Sequence, residues 1–128
     1  MTGTETILVV EDEEAIRRFV ERTLGRLGYT VTSAATGAVA LDLVTSGAAV
    51  PDLLVTDVQM PGIQGPDLAR RLRASLPSLP TLFISGYSEE LVDRAEGDPA
   101  RVLEKPFDAD SLATAVRASL DANRPGVS

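Results

Sequence analysis

Residues 7–13 read Ile7-Leu8-Val9-Val10-Glu11-Asp12-Glu13, an apolar run rich in β-branched side chains that stops abruptly in three acids. A run this short, with no polar alternation, reads as a strand buried on both faces, as in a parallel sheet. Ala15, Ile16, Phe19, Val20, Leu24 and Leu27 then recur at helical spacing, and Gly28 sits where a C-terminal glycine cap belongs. A strand buried on both sides that runs straight into an amphipathic helix is the opening unit of an α/β chain.

The same alternation continues to the far end. Tyr29–Ser33 reads as a strand, Gly37–Thr45 as a helix, Leu53–Thr56 as a strand, and Pro66–Leu76 as a helix with Leu68, Leu72 and Leu76 as its apolar stripe. Thr81–Ile84 is a fourth strand, Glu89–Ala95 a short helix, Arg101–Leu103 a fifth strand, and Asp110–Leu120 a closing helix with Leu112, Val116 and Leu120 inward. Short apolar strands interleaved with helices, joined by right-handed crossovers, make a doubly wound α/β fold: five parallel strands with five helices, in the flavodoxin-like order 2-1-3-4-5. Residues 5–121 are expected to form one domain and 122–128 a flexible tail, since Asp121–Ser128 is polar and holds Pro125 and Gly126.

Composition narrows the chemistry. At 128 residues and 44% hydrophobic content the chain fits a single core. It has no run of about 18 apolar residues and no basic-then-apolar start, so no membrane span or export signal is expected and a cytoplasmic location follows. With no Cys and no His, disulfides, thiolate or imidazole metal sites and histidine nucleophiles are excluded. Any metal must be a hard, oxygen-bound one. A net charge of −7 without a basic run argues against direct nucleic-acid binding, and implies a separate output protein or attached domain if a signal is to reach DNA.

In an open parallel sheet, ligands bind beyond the carboxyl ends of the strands, where the strand order reverses. Glu11, Asp12 and Glu13 end the first strand, Asp57 the third, Ser85 the fourth, and Glu104 and Lys105 the fifth. Asp12 and Asp57 should therefore face each other at the switch point, with Glu11 nearby. Carboxylates this close repel, and stay ionised only with a cation between them or a lysine beside them. Mg2+ suits such a crevice because it uses few carboxylates and leaves room for phosphate oxygens. A carboxylate can also act as a nucleophile toward phosphorus, with Lys105 and the Ser85 hydroxyl steadying the phosphoryl oxygens.

Each residue taken singly has a plainer reading. Acids at 11–14 suit a helix N-terminus, Asp57 before Met60-Pro61-Gly62 suits a turn, Ser85-Gly86 a cap, Lys105 a solvated charge and Tyr87 a rim aromatic. The combination weighs the other way, because unrelated caps have little reason to supply acid, acid, hydroxyl and lysine at strands one, three, four and five in turn.

From Ile7 to about Leu120 the sequence resembles the CheY-like response-regulator receiver family of two-component signalling. The segments that carry the resemblance are Ile7–Glu13, Leu53-Leu54-Val55-Thr56-Asp57-Val58-Gln59-Met60-Pro61-Gly62, Leu82-Phe83-Ile84-Ser85-Gly86-Tyr87 and Glu104-Lys105-Pro106-Phe107. The resemblance implies that Asp57 is the phosphoacceptor, Asp12 a direct Mg2+ ligand, Glu11 an outer acid acting through water, and the Gln59 carbonyl a further ligand. It implies that Ser85 is the switch hydroxyl and Lys105 the phosphoryl counter-ion. It also implies a cis Lys105-Pro106 bond, a state held by only about 5 to 6% of X-Pro bonds. The chain departs from the family pattern in having Glu11 where Asp is commoner, and Val102 where the switching aromatic usually stands. Tyr87, two residues past Ser85, is the candidate to take over that role.

The implied donors are a histidine kinase or a histidine phosphotransfer protein, docking on the first helix. Phe19 or Ile16 would be partly exposed there, the plainer reading being that both are core, which is preferred for Ile16. Readout is expected on the fourth helix, fifth strand and fifth helix, a face that could also form a phosphorylation-dependent homodimer. Beyond self-phosphorylation and auto-dephosphorylation no enzyme activity is expected. Both stand-alone and hybrid-kinase parentage fit the Ser-Gly-Tyr and Lys-Pro-Phe segments.

Three rivals differ in kind. A haloacid-dehalogenase-type phosphatase places its nucleophile after the first strand in an Asp-x-Asp pattern, which Glu11-Asp12-Glu13 is not. A flavodoxin-type FMN carrier needs a hydroxyl-rich phosphate loop where this chain has acids. A non-phosphorylated interaction module has no need of the complete set of acids, hydroxyl and lysine.

Overall fold

The computed structural model describes residues 3–86 and 101–122 of the chain. Its sheet has five strands, β1 (Thr6–Val10), β2 (Thr30–Ala34), β3 (Leu53–Asp57), β4 (Thr81–Ser85) and β5 (Arg101–Glu104), in the order β2-β1-β3-β4-β5. Every neighbouring pair is parallel. Four helices are described: α1 (Glu14–Arg26), α2 (Gly37–Thr45), α3 (Gly65–Ser75) and α4 (Ala109–Ala122). The fold is the expected CheY-like α/β arrangement. The helix anticipated at 89–95 lies outside the described residues.

The inner strands β1, β3 and β4 alternate between two cores, which is why they read as largely apolar runs. Leu8, Val10, Leu54 and Phe83 point to the face covered by Ala40 and Val44 of α2 and by Leu68 and Leu72 of α3. Ile7, Val9, Leu53, Val55, Leu82 and Ile84 point to the other, against Val20 and Leu24 of α1 and Leu112, Val116 and Leu120 of α4. Burying a Val, Leu, Ile or Phe side chain contributes roughly 1.5–3 kcal/mol, so β1 and β3, with every apolar side chain covered, anchor the sheet.

Element ends differ from the expectation by a residue or two. Gly28, at φ 98, turns the chain out of α1 in the left-handed conformation that glycine adopts without penalty. Tyr29 is then buried in the turn, and β2 begins at Thr30, where the pairing Thr6↔Thr30 starts the ladder.

At the amino ends of the strands Arg117 of α4 ties the pole together. Its guanidinium donates to Glu5 Oε2 at 2.6 Å and Oε1 at 3.2 Å, to the Tyr29 hydroxyl at 3.2 Å and to Asp121 Oδ1 at 2.9 Å. These carboxylates hold its pKa above the usual arginine value. No helix of the described residues is long and apolar enough to cross a membrane.

Candidate functional site

The carboxyl ends of β1, β3, β4 and β5 open into a pocket of about 250 Å³ lined by Asp12, Glu13, Asp57, Gln59, Ser85, Gly86 and Lys105. Asp57 is the last residue of β3 and only 6% exposed. Its Oδ2 accepts from Lys105 Nζ at 3.0 Å and its Oδ1 from the Gln59 backbone N–H at 3.3 Å. Just below, Val58 N–H donates to the Ile84 carbonyl, and Gly65 at the start of α3 donates to the Val58 carbonyl at 2.9 Å. A Cβ at Gly65 would overlap the Asp57 carbonyl oxygen, so α3 seats directly on the backbone of the acid.

Glu11 is fully buried behind this carboxylate. Its Oε2 accepts from the Glu13 N–H at 3.1 Å. Lys105 Nζ lies 3.1 Å from its Oε1 in an ion pair, the one polar contact of that buried oxygen among the described residues. Burial, followed by the nearby Asp12 and Asp57, raises the Glu11 pKa from 4.5 to about 7 against the lowering effect of the Glu13 N–H and Lys105. Burial by itself would lower the Lys105 pKa. The Asp57 and Glu11 carboxylates outweigh it, and the net shift is upward, so the ammonium is firmly charged. Glu13 adds a third carboxylate, its Oε1 3.7 Å from Lys105 Nζ.

Carboxylate oxygens from Glu11, Asp12 and Asp57 all fall within 4.8 Å of one another. This donor set is all oxygen and includes a buried Glu11 oxygen with no hydrogen bond, features that fit a hard divalent cation and not a soft one. Ser85, at the end of β4, is 4% exposed, lines the pocket, and its backbone carbonyl accepts the Lys105 N–H at 2.7 Å. The Lys105-Pro106 bond is cis.

The matching residues are shared along almost the whole chain with known proteins. The model of the response regulator receiver domain matches residues 7–117.

The chain belongs to the response regulator receiver domain family.

This receiver is 40% identical over 123 residues to the sensor kinase CckA of Brucella abortus, covering 94% of the chain and 13% of that protein. It is 37% identical over 122 residues to the response regulator MprA of Mycobacterium avium, covering 93% of the chain and 52% of that protein. The chain thus spans about half or less of these curated relatives. Among solved structures, a response regulator receiver protein from Sinorhizobium medicae superposes with a TM-score of 0.86 at 34% identity, covering 94% of this chain and 98% of that one. The receiver domain of the hybrid histidine kinase CckA gives 0.77 at 41% identity, covering 90% and 98%. The role of the chain is that of a receiver domain in two-component signalling.

Of the residues singled out in the sequence, Asp12, Asp57, Gln59, Ser85 and Lys105 come together around the receiver pocket, with Glu11 directly behind. Tyr87 lies outside the described residues. Val102 is half-buried and packs against the core that contains Phe83. Phe19 is 39% exposed, whereas Ile16 is partly covered against the α1 core. Phe19 also meets Phe107, with ring centroids 6.0 Å apart, beside a groove of about 550 Å³ lined by Ala15, Arg18, Phe19, Arg22 and Ala109 among others. Neither this ring pairing nor the approach of Glu13 to Lys105 follows from spacing in the sequence. The Lys-Pro-Phe segment, which sends Lys105 into the pocket, was a usable signal for Phe107.

Proposed function

We propose that this receiver accepts a phosphoryl group on Asp57 from a phosphohistidine of a histidine kinase or histidine phosphotransfer protein. The observation that carries the reading is the Asp57 carboxylate, nearly buried at the pocket floor, with one oxygen 3.0 Å from Lys105 Nζ and the acids of β1 beside it. In the transfer an Asp57 oxygen attacks phosphorus in line with the donor's P–N bond. That bond breaks, an acyl phosphate forms, and the donor imidazole leaves. Lys105 then pairs with a phosphoryl oxygen and the Ser85 hydroxyl donates to another.

Asp12, Asp57 and the Gln59 carbonyl would hold Mg2+, with Glu11 acting through water. The chemistry it supplies when bound is neutralisation of charge on the phosphoryl oxygens. Phosphorylation adds about −1.5 to −2 charge, which draws Ser85 and Lys105 inward and biases the loops after β3 and β4. Tyr87 is the candidate to relay that movement, given Val102 at the usual aromatic position. The readout face includes β5 and α4, and would meet an output protein, an attached domain or a second copy. The domain works in the cytoplasm, and its own chemistry is limited to self-phosphorylation and auto-dephosphorylation.

The test is intact mass after incubation with acetyl phosphate and Mg2+. A gain of one phosphoryl group, abolished by Asp57→Asn and by a chelator, is the expected result. A gain that survives Asp57→Asn would overturn the assignment.

A further inference from the structure

We infer that Arg17 is a positioning residue for the cation site, setting the orientation of Asp12 by holding the peptide that precedes it. The inference rests on the reading of Asp12 as a metal ligand. Arg17, one turn into α1, reaches back so that its Nη1 donates to the Glu11 carbonyl at 2.8 Å. That carbonyl belongs to the peptide linking Glu11 to Asp12. The other side of Glu11 is already fixed, its N–H donating to the Ala34 carbonyl of β2 at 3.2 Å. The loop's other local bond runs from the Glu13 N–H to the Glu11 carboxylate, itself part of the acidic cluster. Glu13, at the start of α1, makes no side-chain cap. Arg17 is thus a brace from outside the cluster, and it holds whatever the charge on Glu11 does.

The guanidinium is held in turn. Its side chain is mostly covered, and its Nε lies 3.8 Å from Glu21 Oε1 one turn further along α1. A group that orients a ligand in this way typically changes metal affinity about 10–100-fold when removed. Charge works in the opposite sense: a cation near the acids repels Mg2+, so deleting Arg17 for its charge alone would tighten binding. The two explanations therefore predict opposite signs.

The experiment is a Mg2+ titration of the full chain by 15N NMR, reading the Asp12 and Asp57 amides, with unfolding midpoints in chelator measured in parallel. Arg17→Met is expected to weaken Mg2+ about tenfold. Arg17→Lys keeps the charge and one donor, and should recover part of the loss. Unchanged or tighter binding in Arg17→Met would overturn the inference, including where its unfolding midpoint falls, since that outcome marks Arg17 as a helix anchor alone. If the wild-type chain bound no Mg2+, or bound it equally well with Asp12→Asn, the cation site itself would fail and the inference with it.

Discussion

Asp57 Oδ2 and Lys105 Nζ stand 3.0 Å apart although 48 residues separate them in the chain, and the lysine must cross the end of β4 to get there. Strands lie about 4.8 Å apart, so the two backbones are roughly 10 Å distant at this level. Only a long, flexible stem bridges that gap while keeping its charge at the tip. Lys105 also faces Glu11 at 3.1 Å, so a single ammonium neutralises acids from two strands.

Replacing Lys105 by Met leaves those acids without their cation. Breaking a buried pair costs about 3–5 kcal/mol, and less where water reaches the lysine, as it does here, so about 2 kcal/mol of destabilisation is expected in chelator. Urea unfolding measures it, and added Mg2+ should recover part of the loss by binding the folded state.

The buried Glu11 gives the metal-free protein a pH dependence of definite sign. The unfolded side chain releases its proton near 4.5 and the folded one near 7, so between these values the folded state holds more protons than the unfolded one. Stability therefore falls as pH rises through this window and levels off above it. The ceiling on the effect is about 3 kcal/mol. Glu11→Gln should flatten the curve in chelator, and a wild-type curve parallel to that of the variant would contradict the assignment.

Phe19 separates chemistry from recognition. Phe19→Ala should leave labelling by acetyl phosphate unchanged, and slow transfer from a phosphohistidine protein by about tenfold or more, the loss typical of a central aromatic contact. Rates with the two donors, compared in one variant, test this directly.

At the opposite pole, Arg117→Met should lower stability by about 1–2 kcal/mol through loss of its charge-assisted bonds to Glu5 and Asp121. Asp57 labelling by acetyl phosphate should be unaffected. A thermal or urea melt beside the mass assay distinguishes the two poles.

The sheet was legible in the sequence because its three inner strands are covered on both faces, and no polar alternation obscured the runs at Ile7, Leu53 or Thr81. The approach of Asp12, Asp57 and Lys105 followed from strand order and from their positions at strand ends. What spacing alone does not reveal is where a long side chain goes after it leaves the backbone. The backward reach of Arg17, the meeting of Phe19 with Phe107, and Glu13 beside Lys105 depend on side-chain torsions and on loops that cross between elements. The complete burial of Glu11 was equally hidden, since in the sequence it is one of four consecutive acids. The ends of β2 and α3 shifted by a residue because pairing and loop contacts, and not local propensity, decide them.

The seat of α3 on the Asp57 backbone leaves a mark that a geneticist could read without any assay of phosphorylation. Gly65 has no room for even a methyl group against the Asp57 carbonyl, so the tolerance of this codon measures how closely a lineage has kept its third strand and third helix in contact. In a library of random variants selected only for a folded product, position 65 should remain glycine as strictly as any core position remains apolar. Asp57, its neighbour in space and only 6% exposed, would under the same selection accept Asn, which keeps its size and loses only the charge. The two adjacent sites would thus record separate histories, one of architecture and one of signalling.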